Sequence, residues 1–254
     1  MVPFWLRERC LDAGGQRCWA QLNRQTVRPQ GETLIRATAM TIVEILLFGA
    51  CLFGAAGSLS WPMAWAVLGI YSLFKAAAFA FLDPDLIRER AAPGPGVDRG
   101  DVVLATLGVL ALYPGMFVVA GLDAVRFGPA LPMAQSVQLA ALLVYVLGYG
   151  FAYWAVYSNP FFATFVRVQE DRDHSVVSSG PYALIRHPGY AGVLLAHLAL
   201  PFALGSIWAL LPAALATLFF VARTSREDQT LRERLVGYRE YQARVRWRLL
   251  PGVW

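Results

Sequence analysis

Four long apolar runs, at 38–57, 61–82, 102–122 and 134–158, leave this 254-residue chain few folds to choose from. As helices rising about 1.5 Å per residue, each can cross the roughly 30 Å of hydrocarbon in a bilayer. Inside hydrocarbon every backbone N–H and C=O must find a partner within the protein, which restricts such runs to helices or closed barrels. Runs this long and continuous fit helices. Two shorter runs, 189–204 and 206–222, are separated by Gly205-Ser206 and flanked by Pro201 and Pro212. They read as a helical hairpin that crosses and returns. Only 15% of the residues are charged, against about 25% in a typical soluble domain. The apolar surplus therefore belongs to membrane spans and not to an oversized soluble core.

The arginines set the orientation. If the six segments alternate, twenty Arg fall on one side, and only Arg126 falls on the other, with Lys75 left inside a span. This is the positive-inside pattern, and it places both termini in the cytoplasm. The expectation is an all-α, polytopic membrane protein with about six transmembrane helices, in a bacterial inner membrane. Its parts are a polar arm (1–36), four spans (37–158) and a C-terminal region (159–254). Residues 1–36 hold no apolar stretch of the kind a secretory signal needs. The net charge of +5 favours contact with anionic headgroups of the bilayer. No basic stripe interleaved with aromatics points to nucleic acid. Cys10, Cys18 and Cys51 have neither zinc-site nor redox-pair spacing. Glu44 sits in the first span, where an acid calls for a partner on a neighbouring helix.

Polar chemistry concentrates in the C-terminal region. The fourth span ends at Asn159-Pro160, and an interfacial stretch, Phe161 to Val168, follows. Then come the polar Gln169–His174 and a Gly180-Pro181-Tyr182 turn, and Arg186-His187-Pro188-Gly189-Tyr190 opens the next helix. A helix start carries unpaired N–H groups and the positive end of the dipole, which suit the carboxylate of an amino-acid-like ligand. Past the hairpin, Arg223 and Glu227 are four residues apart and share a helix face on the same side as His187. A carboxylate there suits a ligand amine or ribose hydroxyls, and an arginine suits a substrate carboxylate.

The run His174–Tyr182, then Arg186-His187-Pro188-Gly189-Tyr190, then Arg223, Glu227-Asp228, Leu231, Tyr238 and Tyr241, and finally Leu250-Pro251, resembles the isoprenylcysteine carboxyl methyltransferase family. That family stands with the phospholipid methyltransferases and other small membrane methyltransferases. The resemblance implies S-adenosylmethionine as cofactor, in a pocket open to the cytosol, and a lipid-like acceptor that enters from the bilayer. By position it implies cofactor contacts at Gln169, His174, Ser175, Val176, Val177, Tyr182, His187, Pro188, Gly189, Tyr190 and Glu227. It implies a substrate-positioning role for Arg223. The chain departs from the family in having Asp228 where a second glutamate is common, and in a shorter stretch between Gln169 and His174.

Methyl transfer from a sulfonium is an in-line displacement, and a carboxylate nucleophile needs no general base. Positioning and exclusion of water then suffice. A carboxylate acceptor of the isoprenylcysteine type leads. The alternatives are a phospholipid headgroup amine, or a membrane reductase of the sterol-reductase type using a nicotinamide. Four residues read as structural: His197 as a helix–helix hydrogen-bond partner, and the tail's Leu231, Leu235 and Tyr238 as the apolar face of an interfacial helix.

Overall fold

A computed structural model describes residues 30–91 and 96–254 of the chain. The polar arm through residue 29, with Cys10 and Cys18, and the linker 92–95 lie outside the described residues. The helices are α1 (Gln30–Ala56), α2 (Pro62–Phe81), α3 (Pro84–Ala91), α4 (Arg99–Arg126), α5 (Gln135–Ser158), α6 (Pro188–Leu204), α7 (Leu210–Arg234) and α8 (Tyr238–Arg244). The described residues contain no strand. The apolar lengths of α1, α2, α4 and α5 suffice to cross a membrane, and α6 is a shorter apolar helix. The protein is an all-helical integral membrane protein. Two π-helical turns interrupt α4, at Ala111–Gly115 and Leu122–Arg126. Pro114, which has no N–H to give the helix, lies inside the first.

The α6–α7 pair forms the hairpin read from the sequence. Gly205 turns it in the left-handed region, with φ of 76°, where a side chain would be strained. α7 then runs antiparallel to α4. At one end Ser206 Oγ donates to Asp123 at 2.7 Å, and at the other Arg223 Nε donates to Asp101 at 2.7 Å. Midway, Gly108 leaves room for Phe220: a Cβ there would lie 3.3 Å from that ring. From Asp101 to Asp123 α4 rises about 33 Å, so the hairpin matches a full span in height.

Close approach of backbones holds α5 to α6. A Cβ on Gly148 would meet the Ala196 nitrogen at 2.6 Å, and one on Gly192 would meet the Ala152 nitrogen at 2.6 Å. Without a hydrophobic effect between helices in lipid, such small-residue seams supply the packing. Between α1, α2, α4, α5 and α6 lies an aromatic core of Phe48, Tyr71, Tyr113, Phe117, Tyr145 and Tyr149, in which the hydroxyls of Tyr113 and Tyr149 are 2.6 Å apart. Glu44 has the neighbouring-helix partner its position requires, Lys75 at 2.7 Å. His197 does not bridge two helices. Its Nδ1 donates to the Val193 carbonyl of its own helix at 2.6 Å, because packing against Tyr113 and Tyr149 turns the ring along α6.

Beyond the Asp101 end of the bundle sits a polar cap. It comprises α3, the loop 159–187, the end of α7, α8 and the C-terminal turn. The tail residues expected on an interfacial helix are its core. Gly237, at φ of 83°, ends any continuous helix and reverses the chain. That turn brings Leu235 and Tyr238 inward against Tyr182, Tyr241 and Ala155 instead of toward lipid.

Candidate active site

The cap encloses a cleft between the loop 159–187 and the ends of α6 and α7. Its wall includes Phe161, Phe162, His174, Ser175, Val176, Val177, Tyr182, His187, Gly189, Tyr190 and Glu227. Nine of the eleven residues that the resemblance assigns to cofactor contacts are in this lining. Gln169 and Pro188 are not, and neither is Arg223. The lining also holds residues that the sequence did not assign to the cofactor site, Asn159, Leu231, Leu235 and Tyr241 among them.

The loop is shaped by its own hydrogen bonds. Gln169 is fully buried, and its side chain is spent inside the loop: Nε2 donates to the Phe161 carbonyl at 2.6 Å, and Oε1 accepts from Arg172 at 2.6 Å. Its backbone N–H donates to His174 Nδ1 at 3.2 Å. His174 also stacks on Phe161, with centroids 4.5 Å apart. Burial first, then the charges of Arg167 and Arg172, push the His174 imidazole down to about 4. It is therefore neutral near pH 7, as an Nδ1 acceptor must be. Tyr182 is held at both ends: Asn159 Nδ2 donates to its hydroxyl at 3.2 Å, and Tyr241 Oη donates to its carbonyl at 2.7 Å.

Glu227 and Asp228 are adjacent on α7 and face opposite tasks. Asp228 is buried and takes hydrogen bonds from Arg186 (2.7 and 3.0 Å), Tyr238 (2.8 Å), Arg248 (2.9 Å), Gln242 (3.2 Å) and His187 Nε2 (3.3 Å). Burial alone would raise its carboxyl. The hydrogen bonds from His187 and Arg186 outweigh that and hold it well below the usual carboxylate range. Glu227 faces the cleft. Its Oε2 accepts from Tyr190 Oη at 2.6 Å, and its Oε1 lies 3.9 Å from His187 Nδ1. The partly exposed carboxylate keeps acceptor capacity for a ligand ammonium or hydroxyl.

Arg223 does not pair with Glu227, one turn away. Its Nε and Nη2 form a fork with Asp101 on α4, at 2.7 and 3.1 Å, and Nη2 also donates to the Thr164 carbonyl. Its guanidinium stands 5.4 Å from the Tyr190 ring centroid. Asp101 in turn accepts from the Val166 N–H at 2.7 Å. A second buried pair, Arg167 with Glu89 at 2.7 Å, ties the loop to α3. The partners in these pairs are separated by 122 and 78 residues, so no local spacing announces them.

Comparison with known proteins bears on this cap. Residues 137–235 match the model of the phospholipid methyltransferase family. Over that segment, this chain is similar to the phospholipid methyltransferases. The segment runs from α5 to Leu235 and contains every site residue assigned by resemblance. Asp101, Tyr238, Gln242 and Arg248, which complete the two buried networks, lie outside it. The match supports a membrane methyltransferase. The chain is also similar to a solved structure of the eukaryotic intramembrane Ras methyltransferase, isoprenylcysteine carboxyl methyltransferase. The identity is 16% over 89% of this chain and 99% of the other, with a TM-score of 0.44. No curated protein matches the chain.

Proposed function

We propose that the protein transfers a methyl group from S-adenosylmethionine to an amphiphilic acceptor delivered by the bilayer, with a carboxylate of the isoprenylcysteine type as the leading acceptor. The observation that carries this reading is Glu227: a carboxylate open to the cleft, oriented by Tyr190, inside the segment that matches a methyltransferase family. The cleft suits the cofactor's chemistry. Glu227 offers an acceptor for an ammonium or for ribose hydroxyls, the apolar Val176, Leu231 and Leu235 offer a wall for a flat base, and Tyr182 and Tyr190 offer rings to a cation.

When bound, S-adenosylmethionine supplies a methyl group activated on a sulfonium. The protein's own share is placement. Tyr190 and His187 hold Glu227, the Asp228 network holds His187 and Arg186, and the aromatic stretch at Phe161 and Phe162 shields the cleft from water. A carboxylate acceptor is already ionised at neutral pH, so no residue need take a proton. Arg223 acts as a positioning residue in this scheme. Asp101 and the Thr164 carbonyl occupy its Nε and Nη2, and it fixes the loop and Tyr190 against α4. The matched family's own description favours a second acceptor, a phospholipid headgroup amine.

The same reading places the cap in the cytoplasm and gives the chain six crossings. Its support is the twenty-to-one arginine asymmetry and the equal height of α4 and the hairpin. The deciding experiment is equilibrium binding to purified protein in detergent. S-adenosylhomocysteine is expected to bind saturably, and NADPH is not. Saturable NADPH binding without S-adenosylhomocysteine binding would replace the methyltransferase with a reductase.

A further inference from the structure

The three buried arginines of the cap are matched to carboxylates, and the partly buried Arg90 is not. Arg167 has Glu89 and Asp171, Arg186 has Asp228, and Arg223 has Asp101. Arg90, on α3, has no ion pair and no side-chain hydrogen bond among the described residues, and its Nη1 is sealed from solvent without a partner. Its one close neighbour by charge is a ring: the guanidinium lies 5.2 Å from the Phe162 centroid. Burial, opposed by Tyr153 and reinforced by Arg223, pulls the guanidinium below its ordinary value, yet an arginine stays charged at any physiological pH. Leaving a partly desolvated charge unpaired is unfavourable, and native proteins keep one where something else supplies the counter-charge.

The surroundings do not supply it. The groups in electrostatic range are the phenols Tyr153 and Tyr190, the cation Arg223, and Glu44. Glu44 is committed to Lys75, and Asp101, the nearest partner of Arg223, is committed to Arg223 and the Val166 N–H. Glu89, adjacent in sequence, is committed to Arg167. The backbone at Arg90 is itself pinned, because its carbonyl accepts from Thr164 Oγ1 at 2.9 Å.

The position relates this charge to the cleft and to the bilayer. Phe162, against which Arg90 lies, is part of the cleft wall, and its ring packs on Gly189 so closely that a Cβ there would meet it at 2.5 Å. On the other side, a groove lined by Ala80, Phe81, Leu82, Leu86, Tyr157 and Pro160, with the exposed Asp83 at its edge, opens between the ends of α2, α3 and α5. Leu86 and Arg90 are four residues apart on α3 and share a face. Phe81 and Tyr157 leave its rim exposed and aromatic, as a surface at the lipid boundary would be.

We infer that Arg90 binds an oxyanion at the polar end of the acceptor, with the acceptor's apolar chain in the groove beside Leu86 and the anion held one aromatic ring from the cofactor cleft. This rests on the methyltransferase reading for its purpose. The binding site itself is testable without that reading. The oxyanion is a carboxylate if the acceptor is of the isoprenylcysteine type, or a phosphate if it is a phospholipid.

The test is titration of two single-chain amphiphiles, dodecanoate and dodecyl phosphate, into the full chain in a non-ionic detergent, with and without S-adenosylhomocysteine. Wild-type protein is expected to bind at least one of them saturably, and which one identifies the oxyanion. R90Q should weaken that binding about tenfold or more, the loss expected from charge-assisted hydrogen bonds. R90K, which keeps the charge without the planar fork, should fall between. Both variants should keep wild-type affinity for S-adenosylhomocysteine, and R90Q should unfold at the same temperature as wild type or higher, since an uncompensated charge has been removed. Equal amphiphile binding by wild type and R90Q, or no saturable binding by wild type, overturns the assignment. So does an R90Q protein that loses thermal stability and cofactor affinity together, because Arg90 would then be a structural residue. Failure of S-adenosylhomocysteine to bind wild type would overturn the methyltransferase reading, and the cofactor-free titration would still decide Arg90.

Discussion

The cap and the bundle are built by opposite means from one chain. In the bundle, α5 and α6 touch backbone to backbone through Gly148 and Gly192, and the core between the helices is a stack of rings. In the cap, buried carboxylates collect donors from distant segments: Asp228 from α8, the C-terminal turn and the start of α6, and Asp101 from α7 and the 159–187 loop. The difference follows from the solvent. Lipid offers no hydrophobic drive between helices, so small residues and close contact do the work. At the membrane surface the cap has a core too small for burial alone, and charge-assisted hydrogen bonds hold its loop in place.

The sharpest way to break this contrast is at Asp228. Asp228→Asn leaves five donors facing a neutral group, and breaking a buried ionic network typically costs about 3–5 kcal/mol. The cap should open while the bundle stays folded. Hydrogen exchange should show loss of protection at 223–250 and 180–190 with α1, α2 and α5 unchanged. Cooperative loss of protection everywhere would mean that cap and bundle are one unit.

Its neighbour should behave differently. Glu227→Gln removes a charge that faces the cleft and lies outside the buried Asp228 and Asp101 networks, so thermal stability should hold within experimental error. S-adenosylhomocysteine affinity should fall by about 1.5–3 kcal/mol, the worth of a hydrogen bond to a charged group. Calorimetric titration beside a melting curve reads both. Unchanged affinity removes Glu227 from the cofactor site.

In the bundle, Gly192→Ala drives a methyl group into the Ala152 nitrogen at 2.6 Å, and overpacking of this kind costs about 1–3 kcal/mol. The loss should appear as a lower melting temperature in detergent with cofactor affinity nearly intact, the reverse of the Glu227 result. A melting temperature equal to wild type would show that the α5–α6 seam is looser than its geometry.

The smallest effect expected is a pH dependence confined to the cap. The folded His174 titrates at about 4, below its ordinary 6.5, so the unfolded chain binds the proton more readily. Its contribution to stability is complete above about pH 6.5 and is lost as pH falls toward 4. The Asp228 network is lost only at still lower pH, because its carboxyl titrates below the usual 3.8. His174→Gln should flatten the melting temperature between pH 6.5 and 4 and leave the steeper acid loss in place. An unchanged slope would assign that window to another group.

Most of the bundle was legible in the sequence, since span length and apolarity are local properties. The apolar runs anticipate the helices within a few residues, apart from the polar turns that α1 and α7 add at their outer ends. Within the cap, the sequence showed which residue types collect near the start of α6, and nine of the assigned contacts do line one cleft. It did not show the distant partners that some of these side chains meet. Arg223 was expected to present a fork to the acceptor, but Asp101, 122 residues away, takes the fork. Gln169 was expected in the cofactor site, but the shorter loop turns its side chain back on Phe161 and Arg172.

The sequence by itself determined that this chain enters a membrane as helices and that its polar chemistry lies at one end. Hydrocarbon forbids unpaired backbone, and charge is costly to bury within it. Only the tertiary structure decided which of two adjacent carboxylates serves the cleft, which arginines are neutralised, and that Arg90 is not. Those outcomes depend on which side chains meet across 10 to 122 residues of chain. Identical charges become scaffold or binding site according to whether the fold brings them a partner.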